Sequence, residues 1–354
     1  MNQGKEAQGL IARYDHGDRR RWMLLLFSGI GVLLLAVWFS VLGTTDTSLR
    51  DVCGTLITLA GAKELDTAQK VILYLRLPRI AMAVIAGIGL SVSGAAMQGI
   101  TRNPLVSPFT IGISNAAAFG ASLAIVFGVG IFPHTQAGVI LTAFLLAFCC
   151  AGMVGMVACR TGMRAETIVL AGISINYLFS AGTSVIQYFA DEYRLSAAVA
   201  WAFGSLNGAE WGQVGLMAGI VGICFAAIYL RAPALDLVSA GDDETAASLG
   251  VHPAGLRVYI GFFSVLATAA VISFTGVIGF VGLAGPHIAR MLIGGEHRFL
   301  LAGSALTGAA LLLAADTIGR LLLTPVMLPV GIVISFLGVP VFVHLILRQR
   351  RAPQ

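Results

Sequence analysis

Ser93-Gly94-Ala-Ala-Met-Gln-Gly-Ile-Thr-Arg-Asn-Pro104 and Thr275-Gly276-Val-Ile-Gly-Phe-Val-Gly-Leu-Ala-Gly-Pro286 share a framework of small residues. Each stretch reaches a second glycine beyond its proline, Gly112 in one and Gly294 in the other. The three pairs (94 and 276, 104 and 286, 112 and 294) keep one separation of 182 residues. Both copies sit in apolar, glycine-rich sequence. If an odd number of membrane crossings separates them, they point in opposite directions, and inverted repeats are a recurrent plan of transporters.

The composition agrees with a membrane setting. Of 354 residues, 57% are hydrophobic and 11% charged, against about 25% charged in soluble domains. Mean hydropathy is +0.89. The net charge of +5 is scattered between apolar runs, which argues against nucleic acid as a partner. Cys53, Cys149, Cys150, Cys159 and Cys224 have no metal or redox spacing. Arg19-Arg20-Arg21 precedes an apolar run from Trp22 to Leu42. That run exceeds a signal-peptide core of roughly 7–15 residues, so it reads as a retained first span.

A spanning helix takes about 20 apolar residues. Candidates lie near 22–42, 77–100, 112–132, 137–159, 167–189, 211–230, 257–275, 276–293, 299–323 and 327–347. The run 257–293 is too long for one crossing as a single helix, about 55 Å. Gly276, Gly279, Gly282, Gly285 and Pro286 give it places to break. The Asn103-Pro104 and Gly285-Pro286 steps are expected to interrupt helix in both copies. Ten spans with the N-terminus inside put 15 of the 22 Lys and Arg on the cytoplasmic side, as the positive-inside rule requires. The expected organisation is a cytoplasmic tail at 1–21, a ten-helix domain at 22–347 and a cytoplasmic tail at 348–354. The repeat copies then fall in spans 2 and 7, five crossings apart. Gly215 and Gly219 form a GxxxG step, and Gly87, Gly89 and Gly94 a small-residue face, both expected to pack helices closely.

Three polar stretches stand out. Arg76 and Arg79 flank Pro78 on the outer side, where they either anchor headgroups or meet an acidic partner. Arg320, near the outer end of span 9, is placed to join them or to pair with Asp316 at i−4. Gly241 to Gly250 reads as a short cytoplasmic helix. Asp242 caps it, Asp243 and Glu244 favour its N-terminal end, Ala246, Ala247 and Leu249 give an apolar side, and Gly250 stops it. A helix so short needs something to pack on, either its own neighbours or a partner's groove. The segment 190–210, with Asp191, Glu192, Arg194, Trp201, Phe203 and Trp211, reads as interfacial or as a short helix at a pathway mouth. Neither a phosphate-binding GxxxxGK[ST] nor an HExxH motif occurs. His287, after Pro286, reads as a structural hydrogen-bonder. No carboxylate falls deep in a span, where ion coupling would need one; Asp316 comes nearest, towards the membrane edge.

Arg76-Leu-Pro-Arg79, Ser93-Gly-Ala-Ala-Met-Gln98, Thr101-Arg-Asn-Pro-Leu105 and Gly112-Ile-Ser-Asn115 resemble the FecCD-type permeases of bacterial ABC importers. So do Ala246-Ala-Ser-Leu-Gly250, Gly279-Phe-Val-Gly-Leu283, Gly285-Pro-His-Ile-Ala-Arg290, His297-Arg298, Leu328-Pro-Val-Gly331 and Gly338-Val-Pro340. The resemblance covers roughly residues 70–347.

It implies an all-α type II importer permease with ten spans and an inverted repeat. The implied partners are a second permease copy or close paralogue, two ATP-binding subunits and an extracytoplasmic substrate-binding protein. The implied location is the cytoplasmic (inner) membrane, with both termini inside. No cofactor is implied for this chain, ATP and Mg belonging to the ATPase. Arg76, Arg79 and Arg320 match positions that dock the binding protein. Asp242, Asp243, Glu244, Ala246, Leu249 and Gly250 fall in the ATPase-coupling segment, about 235–250. Spans 5 and 10 would line the pathway, with Asn176, Ser180, Ser184, Gln187 and Ser335 as polar contributors. Implied substrates are ferric siderophores first, then haem, cobalamin or molybdate. An ion-coupled secondary transporter is the rival reading, and its internal ion site is missing from the sequence.

Overall fold

The computed structural model describes residues 2–42, 48–60, 66–324 and 326–349. In chain order its α-helices are α1 (Asn2–Val41), α2 (Leu49–Ala60), α3 (Thr67–Val71), α4 (Leu77–Thr101), α5 (Ile113–Phe127), α6 (Gln136–Arg160), α7 (Ala165–Tyr188) and α8 (Glu192–Ala202). They continue with α9 (Trp211–Tyr229), α10 (Ala232–Ala240), α11 (Asp243–Ser248), α12 (Pro253–Thr275), α13 (Val281–Ile293), α14 (His297–Leu321) and α15 (Val330–Gln349). A π-turn at Ile72–Arg76 joins α3 to α4, and a 3₁₀ turn at Pro108–Ile111 leads into α5.

Among the described residues, seven helical segments are long and apolar enough to cross a membrane: Gly17–Val41, Thr67–Thr101, Gln136–Arg160, Ala165–Tyr188, Trp211–Tyr229, Pro253–Thr275 and His297–Leu321. Three more are apolar but short: Ile113–Phe127, Val281–Ile293 and Val330–Pro340. These ten segments overlap the ten spans read from hydropathy. The expected tail at 1–21 instead continues α1 as one helix from Asn2. Of the expected C-terminal tail, residues 350–354 lie outside the described residues.

Burial separates a centre from a rim. The apolar windows of α4, α12 and α14 are 78%, 61% and 67% buried, those of α1 and α7 only 17% each. The centre is built on close backbone approach. A Cβ on Gly87 would overlap the Gly308 backbone, and one on Gly94 would overlap the Gly282 carbonyl. Pro286 explains the second contact: inside α13 it cannot donate to the carbonyl four residues back, which is that of Gly282. The Gly282 oxygen is left facing Gly94. The GxxxG step is different, because added Cβ atoms on Gly215 and Gly219 would meet nothing within 4 Å.

The 182-residue register holds only in part. Gly112 and Gly294 share a positive φ, 91° and 103°, but Gly112 is the N-cap of α5 whereas Gly294 is the C-cap that ends α13. Gly94, however, lies within α4, whereas Gly276 has already left α12. Pro104 lies in the break after α4, while Pro286 sits inside α13, so the expected break at Gly285-Pro286 falls instead between Gly276 and Phe280. What recurs is the sequence of lengths. Helices α4 to α7 have 25, 15, 25 and 24 residues, and α12 to α15 have 23, 13, 25 and 20. The packing recurs with them: α4 lies on α14 as α12 lies on α6, and α5 lies on α6 as α13 lies on α14.

Local chemistry sets the boundaries. Asp191 accepts a hydrogen bond from the Arg194 N–H and starts α8, the short helix expected within 190–210. Thr135, Asp242 and His252 cap α6, α11 and α12 in the same way. Prolines occupy the first turns of α4, α10 and α12, where their missing N–H costs nothing.

Candidate functional site

Two charged stations lie at opposite ends of α4. At its start Arg79 grips Asp316 of α14 with a bidentate fork: Nε is 3.0 Å from both carboxylate oxygens and Nη2 is 2.8 Å from Oδ1. Arg79 Nη1 also donates to Asn207 Oδ1. Arg320 Nε lies 3.3 Å from Asp316 Oδ2, so the expected i−4 pair exists, but Asp316 is shared and its closer partner is Arg79. Asp316 is also only 3% exposed, deeper than its place near a span end implied. Arg76 is buried and donates to the carbonyls of Ser40 (3.0 Å) and Val41 (3.3 Å). The three guanidiniums line one cavity of about 240 Å³ with Leu206, Asn207 and Met327. Three cations and one carboxylate leave a local excess of two positive charges, a field that attracts acidic groups. The π-turn at Ile72–Arg76 sits directly before this cluster, and such turns often mark functional positions. These arginines are therefore brought together as the sequence reading had them. They are not free surface cations, since Arg76 and Arg320 are each over nine-tenths buried.

The second station is the α10–α11 pair beyond the end of α4. Asp242 Oδ1 accepts from the Thr245 N–H at 2.7 Å, and hydrogen bonds from Thr245 hold the Asp242 carboxyl below its ordinary range. Asp243 receives Arg257 Nη1 and Nη2 of α12, each at 2.8 Å, and Arg102 Nη2 at 2.7 Å. The Arg257 hydrogen bonds are the main reason its carboxyl also titrates low. Arg102, in the left-handed region with φ 51°, turns back to donate Nε to the Val238 carbonyl at 2.6 Å. Asp236 of α10 accepts from the His297 backbone N–H at 2.8 Å and meets its Nδ1 at 2.7 Å. The α10–α11 pair is thus fastened to α4, α12 and α14. Ala246 is fully buried beneath it. Of the apolar side expected to pack on its own neighbours or in a partner's groove, Ala246 is covered within this chain, whereas Leu249 stands 60% exposed at the tip and Ala247 is exposed, as is Glu244. Gly250 adopts φ 84°, which suits glycine as the helix stop.

The expected lining residues do not form a polar track in a single chain. Ser180, Ser184 and Ser335 are on exposed faces of α7 and α15, and Asn176 and Gln187 are half-buried. The hydroxyls of Ser184 and Ser335 donate to the carbonyls of Ser180 and Gly331 in their own helices, at 3.1 and 2.8 Å. Exposed Tyr177, Leu178, Tyr188 and Phe336 dominate these faces. Among the described residues no group of three His, Cys, Asp or Glu could hold a metal ion.

The family model of the FecCD transport family matches residues 25–348, across both stations and the helices between them. The chain belongs to the FecCD transport family. This FecCD chain is 44% identical over 291 residues to the ABC transporter permease protein MJ0087 of Methanocaldococcus jannaschii, covering 80% of this chain and 83% of that one. It is 36% identical over 330 residues to the hemin transport system permease protein HmuU of Yersinia pestis, covering 93% and 96%. A solved metal-chelate type ABC transporter in an inward-facing conformation superimposes with a TM-score of 0.82 at 31% identity, covering 92% of this chain and 99% of that one. Other relatives are named for Fe(3+)-citrate, iron(3+)-hydroxamate, cobalamin and molybdate import. FecCD membership makes this chain a transporter permease of the ABC class. Sequence reasoning missed Asn207, Arg102, Arg257, Asp236 and His297 as site partners. Only Asp316 carried a local signal, its i−4 spacing to Arg320.

Proposed function

We propose that this chain is the membrane-spanning subunit of an ATP-driven importer that carries an iron complex, a ferric siderophore foremost, across the cytoplasmic membrane. It works in ten spans of two inverted halves, with both termini inside, paired with a second copy. Two ATPase subunits engage the α10–α11 face, and a substrate-loaded binding protein engages the arginine cluster. The observation that carries this reading is α11: a six-residue helix, too short to persist alone, is held by two ion pairs, from Asp243 to Arg102 and to Arg257, yet presents Leu249 uncovered. An apolar tip on a rigid mount is what a partner's groove requires. The cationic cavity at the other end of α4 suits an acidic docking face. The similarity to permeases named for haem, ferric citrate and ferric hydroxamate supports iron as cargo. Ten spans are supported by ten apolar helices, and two inverted halves by the recurring lengths and packing of α4–α7 and α12–α15.

The test is uptake of a labelled ferric siderophore into proteoliposomes holding this chain with its ATPase and binding protein, with ATP supplied or withheld. ATP-dependent accumulation is the expected result. Hydrolysis stimulated by the binding protein without iron uptake would move the cargo to haem, cobalamin or molybdate. Uptake driven by an ion gradient without ATP would overturn the reading.

A further inference from the structure

An apolar cleft of about 270 Å³ runs between α6 and α12. Its lower end is formed by Met163, Ile168 and the buried Arg257, next to the α6–α7 turn, and its upper end by Phe148 and Phe262. Those two rings meet edge to face at 6.1 Å and close the top. From Phe148 to Cys159 along α6 the cleft rises about 16 Å, close to half of a ~30 Å hydrocarbon core. It opens sideways between Gly152 and Cys159 on one edge and Val258 and Phe262 on the other, all exposed. Gly152, Gly155 and Gly261 on its walls face open space, since a Cβ there would meet nothing within 4 Å. Packing within this chain therefore does not account for these glycines.

Water is a poor occupant, because the lining offers almost nothing to hydrogen-bond. The rim at the α6–α7 turn carries charge instead. Arg160 and Arg164 are exposed and make no hydrogen bond or ion pair with another described side chain, and each adjoins a cleft residue, Cys159 or Met163. One leaflet of apolar depth under an unpaired cationic rim is the shape of an anionic phospholipid. Basic pockets between helices on the cytoplasmic side bind such headgroups.

We propose that the α6–α12 cleft is a binding site for an anionic phospholipid of the cytoplasmic leaflet, one acyl chain lying between the helices and the headgroup phosphate held by Arg160 and Arg164. The site requires that the chain span a bilayer, but it does not depend on which cargo is carried.

The test uses the assembled transporter, delipidated in detergent and titrated with phosphatidylglycerol or phosphatidylcholine of identical chains. Bound lipid is counted by native mass spectrometry and thermal stability is followed in parallel. Saturable binding is expected, tighter for phosphatidylglycerol. Replacing both arginines (Arg160→Gln with Arg164→Gln) removes that preference, by roughly 5-fold per arginine and about 30-fold together, and leaves phosphatidylcholine binding in place. Gly155→Leu fills the cleft and abolishes saturable binding of both lipids. Equal affinity for the two lipids in the unaltered protein would overturn the headgroup assignment. Saturable binding that survives Gly155→Leu would overturn the cleft as its place.

Discussion

Replacing Asp243 with Ala is the most direct perturbation of the α10–α11 station. It removes three charge-assisted hydrogen bonds, two from Arg257 and one from Arg102, and leaves the Arg257 guanidinium, whose side chain is 3% exposed, without its carboxylate. Stripping one partner from a fully buried pair costs about 3–5 kcal/mol. Here the loss is smaller. The Asp243 side chain is 47% exposed, so solvent screens its contacts, and Arg257 keeps the Ile100 and Met163 carbonyls. A cost of about 2 kcal/mol follows, which shifts the docked-to-undocked balance of α11 roughly 30-fold. Acid acts at the same place. Because the folded carboxyl titrates low, its stabilisation is complete above the unfolded value of about 3.9 and is lost as pH falls through the still lower folded value. Hydrogen exchange of the assembled transporter reads the docking: amides of 243–251 should exchange about 30-fold faster in Asp243→Ala while those of α4 hold. Transport per ATP should fall in the same variant. In a double-mutant cycle, Asp243→Ala with Arg257→Met should cost less than the sum of the single changes. Unchanged exchange at 243–251, together with an unchanged transport-to-hydrolysis ratio, would refute the argument.

Arg79→Leu should strand Asp316 in a buried position with only the longer Arg320 contact, lowering stability by about 3 kcal/mol. Adding Asp316→Asn should recover part of that, as thermal unfolding in detergent would report. The single variant should also weaken binding-protein affinity, with the loss largest at low salt. Gly94→Ala drives a methyl group into the Gly282 carbonyl and should cost about 1–3 kcal/mol. Gly215→Ala, in open space on α9, should change unfolding by less than about 0.5 kcal/mol. Leu249→Asp should uncouple ATP hydrolysis from uptake while membrane insertion and thermal stability stay put; full uptake in that variant would remove α11 from the coupling path.

Hydropathy located the ten apolar segments because each carries its own signal: a long run of residues out of water needs no partner to be recognised. Caps and stops such as Asp242 and Gly250 were legible for the same reason, acting within one turn. Contacts between distant segments were not. Nothing near Asp243 announces Arg102 or Arg257, and nothing near Asp236 announces His297. The repeat illustrates the limit. Small residues at matched spacing drew attention to the right helices but in the wrong register, since Gly94 answers to a carbonyl freed by Pro286 and not to Gly276. Arg76, Arg79 and Arg320 were found together, yet the burial of Arg76 and Arg79 follows from Ser40, Val41 and Asp316, which no spacing rule connects to those two.

The two stations are joined by one mechanical element. Helices α4 and α14 run antiparallel with three rungs: Arg79 on Asp316, Gly87 on Gly308, and Gly99 against the His297 ring. From Arg79 to Gly99 is about 30 Å, the thickness of a hydrocarbon core. The Arg79 rung is a bidentate ion pair, the middle a backbone contact that admits no side chain, and the third rung passes through His297 to Asp236 on α10. A strut pinned at both ends and in the middle does not slide, because each rung would have to break before any could re-form. The alternation between outward and inward openings that the proposed transport needs would then be taken up by the loosely buried helices, α7 above all and the exposed face of α15. Distances measured by spin labels between α4 and α14 should stay fixed through an ATP cycle while those from α4 to α7 and α15 change by several ångströms. Movement within the α4–α14 pair of the same size would mean that the rungs are themselves the switch.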